Sequence, residues 1–329
     1  MPSHRPRWAK LERFIAHYSK SPSVGAIVVV WNDAAGGPPA ASEVKAMEAK
    51  AGPIPLTVRT MAAYDINNRF LPHAAIATDA VFSLDDDVII DLKDVEFAFY
   101  VWQMHPTNLV GFRWTTRGYA RCPAHTKDKH PADPAGAGQA DTAKVGQQNP
   151  KATNGSQADP CNGGEYQYLR SIPTDIVARN LKQAHITLTG ATFMHRLYLS
   201  MYSGAPVHGD AAANLDTMEP SIMDAVRRVV FTENNCEDIA MNFMVAAATA
   251  RQPALIVEGQ FDTKSMADGD GLWKRPNHYQ RRSSCIDKMV GLIGTEGLPV
   301  SVKGFPQPWQ DEWRDRPRVP PKRSFKVPV

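Results

Sequence analysis

The sequence predicts an α/β fold built around a mainly parallel sheet, because apolar strand-like runs alternate with helical periodicity. The clearest strand is residues 25–31, whose unbroken β-branched run is typical of a strand buried on both faces of a parallel sheet. Before it, large side chains from Trp8 to Tyr18 recur every three or four residues, which predicts a helix with one apolar face. Asp91 can cap a further helix that ends at Met104, just before a proline.

The other predicted elements continue this alternation. We expect a helix at residues 238–250 and strands at residues 54–60, 75–84, 108–114, 185–190 and 254–259. Strands and helices that alternate in this way favour helices packed against a mainly parallel sheet.

Composition and charge exclude several classes of protein. The 329 residues are 43% hydrophobic and 22% charged, as in a globular protein that buries a core. We expect no membrane-spanning helix, since no stretch approaches roughly 20 apolar residues, and no secretion signal in residues 1–10. Four cysteines are too few for a disulfide-built scaffold. Of the net charge of +3, residues 302–329 contribute +4 and the rest of the chain −1, so the basicity belongs to the tail and we expect no nucleic-acid partner.

Two stretches do not follow the α/β pattern. Between Cys122 and Gly164 the sequence contains no Leu, Ile, Met or aromatic residue. A segment that can bury so little apolar surface does not offset its chain entropy, so we predict a disordered polar insertion at about residues 122–164. Residues 302–329 are basic and proline-rich, which predicts an extended tail.

Three consecutive carboxylates carry the clearest chemical signal. The apolar strand that ends at Leu84 is followed directly by Asp85, Asp86 and Asp87. Open α/β sheets bind ligands beyond the carboxyl ends of their strands, and crowded carboxylates there need a cation to offset their repulsion. A divalent ion that bridges carboxylates and phosphate oxygens is the usual solution, although a solvated acidic turn gives the same pattern.

The acidic motif by itself leaves the chemistry open. It lacks the ligand spacing of an EF-hand, and the sequence contains neither a dinucleotide loop nor a Walker loop. A phosphatase that uses Asp85 as its nucleophile fits the three carboxylates. The Asp-x-Asp signature of transferases that use nucleotide sugars fits equally well.

The blocks around the acidic motif resemble the exostosin-like glycosyltransferases. Those blocks are residues 66–72 (Ile-Asn-Asn-Arg-Phe-Leu-Pro), 94–99, 109–112, 188–191, 235–243 (Asn-Cys-Glu-Asp-Ile-Ala-Met-Asn-Phe) and 277–278, followed by Arg282 and Cys285. The resemblance covers about residues 18–300 outside the insertion, and the block at residues 235–243 is its most specific part. It implies a retaining enzyme of the GT-A fold.

The resemblance also implies a substrate and a domain organisation. Such enzymes transfer an α-linked N-acetylhexosamine, here N-acetylglucosamine by preference, from a UDP-sugar to a glycan or glycolipid acceptor, with Mn²⁺ or Mg²⁺ as cofactor. We expect one GT-A domain at residues 1–301. Its nucleotide-binding half would be about residues 1–118 and its acceptor half about residues 165–301.

The same resemblance assigns ligand contacts. It implies that Asp87 is the main metal ligand and that Asp85 also reaches the ion. The implied nucleotide contacts are Arg7, Asn32, Asn68, Arg69, Asp85 and Asp86. A forked guanidinium such as that of Arg69 suits a diphosphate.

Two further pairs follow from the resemblance. Asp238 and Arg282 match the catalytic pair of the family, and Cys236 and Cys285 match a pair that is disulfide-bonded there. We expect Asp238 to open its helix, where the macrodipole favours an ionised carboxylate beside the sugar. Such a charge can stabilise an oxocarbenium-like transition state or attack it.

The sequence departs from the family at its N-terminus. Arg7 aligns with the arginine of the family's first turn, but the residues before it do not reproduce that turn. We therefore expect the first strand of the fold to be missing. The family's membrane anchor is also absent from this sequence, so the expected location, the lumen of the Golgi or endoplasmic reticulum, rests on resemblance. An inactive glycan-binding relative remains an alternative, and a homo-oligomer is compatible with the sequence.

Overall fold

Helices pack against sheets of five, three, three and two strands in the described part of a computed structural model of the chain. The structure describes residues 2–3, 8–122, 163–169, 184–205, 215, 218–258, 264–265 and 275–306. The helices are α1 (Trp8–Tyr18), α2 (Ala41–Ala51), α3 (Leu92–Met104), α4 (Leu197–Ser203), α5 (Pro220–Glu233), α6 (Glu237–Ala248) and α7 (His278–Ile293). The strands are β1 (Pro2–Ser3), β2 (Ile27–Trp31), β3 (Leu56–Thr60), β4 (Ala80–Leu84), β5 (Val88–Ile89), β6 (Val110–Phe112), β7 (Thr116–Arg121), β8 (Tyr166–Leu169), β9 (Ile186–Thr187), β10 (Ala191–His195), β11 (Leu255–Glu258), β12 (Lys264–Ser265) and β13 (Lys303–Pro306).

The first sheet is parallel and has the order β1-β2-β3. Its middle strand β2 is the β-branched run that the sequence predicts to be buried. The expectation that the first strand is missing is wrong, because Pro2 and Ser3 pair in parallel with Val30 and Trp31. A strand of two residues has no alternating pattern of side chains, and for that reason the sequence does not reveal it.

The central sheet has five strands in the order β13-β11-β6-β10-β4. Strand β11 is parallel to β13 and β6, whereas β10 is antiparallel to β6 and β4, so this sheet is mixed. The α/β class is therefore confirmed. The predicted boundary of the tail at residue 302 is too early, because Lys303–Pro306 form the edge strand β13 and Val302 is buried.

Predicted and observed elements agree in place more closely than in length. The strand predicted at 75–84 is observed only in its second half, as β4, and the strand predicted at 108–114 only at its centre, as β6. Asp91 caps α3 as expected, since its carboxylate accepts the backbone N–H of Lys93. The sequence analysis did not find α2, α4, α5 or α7.

Helix α1 anchors the chain that follows the three carboxylates. The Tyr18 hydroxyl donates to the carbonyl of Val88 (3.1 Å) and accepts the N–H of Ile90 (3.1 Å). The His17 ring Nε2 lies 2.7 Å from the carbonyl of Ile90 and donates to it. Burial raises the pKa of Tyr18 well above its ordinary value, so the phenol keeps its proton. Helix α1 thereby fixes the backbone at Val88 and Ile90, directly after the three carboxylates.

The predicted insertion falls on residues outside the described ranges for nearly all its length. Its two ends are adjacent, because the N–H of Cys122 donates to the carbonyl of Glu165 (2.7 Å) and β7 pairs with β8 in antiparallel fashion. Within the described part of the chain, no helix is both long and apolar enough to cross a membrane.

Replacing residues 123–159 by a short glycine-serine linker should leave the thermal midpoint within a few degrees, measured by circular dichroism. The reason is that the segment has few apolar side chains to bury and its flanking strands already meet. A large cooperative loss of stability would show that the segment contains a folded element.

Candidate functional site

Two asparagines join the end of β2 to the segment that contains Arg69. The Asn68 side chain donates to the Asn32 side-chain oxygen (2.8 Å) and to the carbonyl of Ala63 (3.0 Å). Asn32 in turn donates to the carbonyl of Asp65 (3.0 Å). Both asparagines are buried, and they lie at the carboxyl end of a parallel strand, where α/β sheets bind ligands. Arg7, the remaining predicted contact on this side, is outside the described residues.

The acidic turn begins beside the start of β10. The N–H of Asp85 donates to the carbonyl of Gly190 (2.9 Å), and a Cβ at Gly190 would lie 2.4 Å from an Asp85 carboxylate oxygen. A larger residue at position 190 would therefore displace the Asp85 carboxylate from its present position. The Asp85 side chain is 41% exposed and Asp87 is half-buried, whereas Asp86 is completely buried. Asp85 and Asp87 are thus the accessible members of the three.

Arg69 connects the acidic turn to helix α6. Its Nη2 lies 2.9 Å from Asp85 Oδ1 and donates to the carbonyl of Thr189 (3.0 Å), while its Nη1 lies 3.4 Å from Glu237 Oε1. Burial works to lower the pKa of Arg69, but the carboxylates of Asp85 and Glu237 more than offset this, so the pKa is raised. The Nε of Arg69 is buried and has no hydrogen-bond partner within the described residues.

Glu237 is a site residue that the sequence analysis missed. Burial and the neighbouring charge of Asp238 raise the pKa of Glu237 to about 7, although Arg69 and Arg282 oppose the shift. This carboxyl group consequently changes its charge near neutral pH. The available signal was its position next to Asp238 at the start of a predicted helix.

Asp238 and Arg282 form a buried ion pair. Arg282 Nη2 donates to Asp238 Oδ2 (2.7 Å), and both side chains are 5% exposed. Burial would raise the pKa of Asp238, but the guanidinium of Arg282 and the N–H of Ile239 hold it below its ordinary value. Helix α6 starts at Glu237, one residue before the predicted start, so Asp238 still lies in the first turn where the macrodipole favours its charge.

Side-chain contacts and a disulfide tie the segment before α6 to α7. Arg282 Nη1 donates to the Asn235 side-chain oxygen (3.0 Å). The predicted disulfide between Cys236 and Cys285 is formed, with a Cα–Cα distance of 6.4 Å. On the other side, the Asn242 side chain bonds both backbone groups of Thr187, which fixes α6 against β9. The structure therefore brings the predicted catalytic pair together in a rigid frame.

The acidic turn offers carboxylate oxygens that could contribute to a divalent-ion site. Within the described part of the chain, no group of three or more His, Cys, Asp or Glu side chains is placed to hold a metal by itself. Asp85 and Asp87 supply the hard oxygen ligands that Mg²⁺ and Mn²⁺ prefer. The donor set therefore fits an ion that takes its remaining ligands from phosphate oxygens and water, as Mg²⁺ commonly does.

Comparison with known proteins gives a consistent result. A sequence model of the glycosyl transferase family 64 domain matches residues 1–122 and 159–303. The chain is 26% identical to mouse exostosin-like 2 over 306 residues, which is 90% of this chain and 74% of that protein. It is 27% identical to mouse exostosin-2 over 296 residues, 89% of this chain and 32% of that protein. It is 26% identical to an Arabidopsis glucosamine inositolphosphorylceramide transferase over 292 residues, 87% of this chain and 28% of that protein.

Glu237→Gln should make the fold less sensitive to pH. Because the folded pKa of about 7 exceeds the ordinary value, the folded state binds this proton more tightly than the unfolded chain, and stability falls as pH rises towards 7. Glutamine cannot ionise, so the thermal midpoint of the variant should exceed that of the unaltered protein at pH 8 and match it at pH 5.

The exposed carboxyl group of Glu48 on α2 provides the control for this experiment, since Glu48→Gln should leave the pH profile of the thermal midpoint unchanged. Parallel profiles for Glu237→Gln and the unaltered protein would contradict the raised pKa.

Proposed function

Since the chain belongs to glycosyl transferase family 64, we propose that it is a retaining glycosyltransferase of the GT-A fold. It moves an N-acetylhexosamine, with N-acetylglucosamine favoured, from a UDP-sugar to a glycan or glycolipid acceptor. The observation that carries this proposal is the pair of linked charge clusters. One joins Asp85 to Arg69 and Glu237, and the adjacent one joins Asp238 to Arg282.

The two charge clusters support different roles in the proposed reaction. The cluster around Arg69 combines a buried cation with accessible carboxylates, which suits the diphosphate of a nucleotide sugar. The asparagines at the end of β2 would hold the nucleoside on the same side, together with Arg7. Negative charge builds up on UDP as it departs, and the guanidinium of Arg69 stabilises it.

Asp238 would act on the sugar itself. Its lowered pKa keeps the carboxylate ionised at neutral pH, so it can stabilise positive charge at the anomeric carbon as the bond to UDP breaks. Arg282 holds that carboxylate in one orientation through a 2.7 Å hydrogen bond. The acceptor oxygen then attacks so that the α configuration is kept.

Mn²⁺ or Mg²⁺ would be held by Asp87 and Asp85, with Asp86 supporting the nucleotide side of the turn. When bound, such an ion neutralises diphosphate charge. Gly190 contributes by leaving room for the Asp85 carboxylate. The ion is proposed from the chemistry of these ligands and from the family.

The acceptor class and the location rest on the relatives. The plant relative is named a glucosamine inositolphosphorylceramide transferase, which supports a glycolipid acceptor. The glycan acceptor and the lumen of the Golgi or endoplasmic reticulum are proposed from the resemblance to the exostosin-like family described above. The chain spans about three quarters of exostosin-like 2 but a third or less of the other two relatives.

The two other functions considered from sequence lose their support. Membership of a glycosyl transferase family argues against a phosphatase that uses Asp85 as nucleophile. An inactive glycan-binding relative was suggested by the expected loss of the first strand, and that strand is present at residues 2–3.

UDP binding should require a divalent ion, and Asp87→Ala should abolish both that requirement and most of the affinity, because a hard cation loses its main carboxylate ligand. Titration calorimetry of UDP with Mn²⁺, and again with a chelator, measures this. Asp79→Ala serves as the control. Asp79 directly precedes β4, at the end of that strand opposite to the acidic turn, and it pairs with Arg196 (3.1 Å). Equal UDP affinity with chelator and with Mn²⁺ would refute the proposed ion.

Asp238→Asn should lower turnover by about 10² or more, because it removes a charge that matters most in the transition state. UDP affinity should remain nearly unchanged, since the nucleotide contacts lie on the Arg69 side. Proton NMR of the product should show an α linkage. Asp224→Asn, on the surface of α5, is the control variant. Near-native turnover of Asp238→Asn, or a β-linked product, would defeat the assignment.

A further inference from the structure

The aromatic ring of Tyr168 lies over the guanidinium group of Arg282. The guanidinium carbon is 4.3 Å from the ring centroid, well inside the limit of about 6 Å for a cation–π contact. Both residues are buried, and exclusion of water strengthens such a contact. We propose that Tyr168 is a positioning residue that holds Arg282 against Asp238, an inference that rests on the proposed function.

Hydrogen bonds alone do not fully fix the orientation of the Arg282 guanidinium. Nη1 donates to Asn235 and Nη2 donates to Asp238, and both bonds lie at one end of the planar group. The Nε of Arg282 has no hydrogen-bond partner within the described residues. The group can therefore tilt about the line through its two Nη atoms. A ring packed against its face opposes that tilt.

Tyr168 is itself held by the helix that carries Arg282. The N–H of Tyr168 donates to the Ser283 hydroxyl (2.9 Å), and Ser283 follows Arg282 directly on α7. One turn further along α7, Asp287 Oδ1 accepts the N–H groups of Glu165 (3.0 Å) and Tyr166 (3.1 Å). These bonds fix β8 against α7, so the ring of Tyr168 keeps its position relative to the guanidinium of Arg282.

The phenol of Tyr168 is neutral, and a second aromatic ring packs against it. Burial raises the pKa of Tyr168 even though Arg282 opposes the shift, so the phenol stays neutral. The ring of Tyr279 lies parallel to it, with centroids 6.5 Å apart. The contact that the geometry shows is between the guanidinium of Arg282 and the face of the ring. Phenylalanine should consequently replace tyrosine with little loss.

A matched pair of variants tests the contribution to turnover. Tyr166 is equally buried two residues away on β8, but its ring packs against Tyr119 at 5.9 Å. With UDP-N-acetylglucosamine and Mn²⁺, Tyr168→Leu should lower kcat about 10-fold and leave KM within about 2-fold. Tyr166→Leu and Tyr168→Phe should keep kcat near that of the unaltered protein. Equal losses of kcat in Tyr168→Leu and Tyr166→Leu would overturn the inference.

Fluorinated phenylalanines at position 168 provide a test in which the shape of the side chain is nearly constant. Each added fluorine withdraws electron density from the ring face and weakens its attraction for a cation. We expect kcat to fall stepwise from phenylalanine to the trifluoro derivative while the protein stays folded at the assay temperature. A constant kcat across the series would refute the positioning role, even if Tyr168→Leu does not fold.

Nuclear magnetic resonance of the arginine Nε–H groups separates this inference from the proposed function. The Arg282 signal is identified by its loss in Arg282→Lys. Its exchange with solvent should be about 10-fold faster in Tyr168→Leu than in Tyr166→Leu, because only the first loses the ring over the guanidinium. Unchanged exchange would overturn the positioning of Arg282. The proposed function has a separate test. If the exchange rates are as expected but the protein shows no transferase or hydrolase activity on UDP-sugars, the proposed function is overturned and the positioning of Arg282 is not.

Discussion

The buried guanidinium of Arg69 is the interaction on which the rest of the site depends. A buried cation without partners is costly, and Arg69 finds its partners at positions 85, 189 and 237, which are far apart in the chain. Its charge thus requires the acidic turn, the start of β10 and helix α6 to meet at one point. The proposed nucleotide side and the proposed catalytic side of the site are joined through this one side chain.

The same logic extends to the second arginine. Glu237 and Asp238 are adjacent like charges, and each contacts a different guanidinium, of Arg69 and Arg282 respectively. The first turn of α6 adds a favourable dipole. Their environments separate their pKa values, since that of Glu237 is raised to about 7 and that of Asp238 is lowered. One residue pair therefore provides a carboxylate that stays charged and a carboxyl group that titrates near neutral pH.

Local sequence patterns were sufficient for much of the fold. Helices α1 and α3 and strand β2 were predicted because apolar periodicity and a capping aspartate act within a few residues. The acidic turn was found for the same reason, since its three carboxylates directly follow an apolar strand. Strands β1 and β13 were missed, because short strands are stabilised by the neighbour they pair with and carry little pattern of their own.

The sequence by itself determined the α/β class, the acidic motif, the disulfide pair and the membership of Asp238 and Arg282 in one site through family resemblance. Only the tertiary structure decided which charges meet. The links from Arg69 to Glu237 and from Tyr168 to Arg282 join residues separated by more than a hundred positions. Contacts of this kind depend on how helices and strands pack, and no pattern of neighbouring residues encodes them. The mixed direction of the central sheet was decided in the same way, by the antiparallel pairing of β10 with β4.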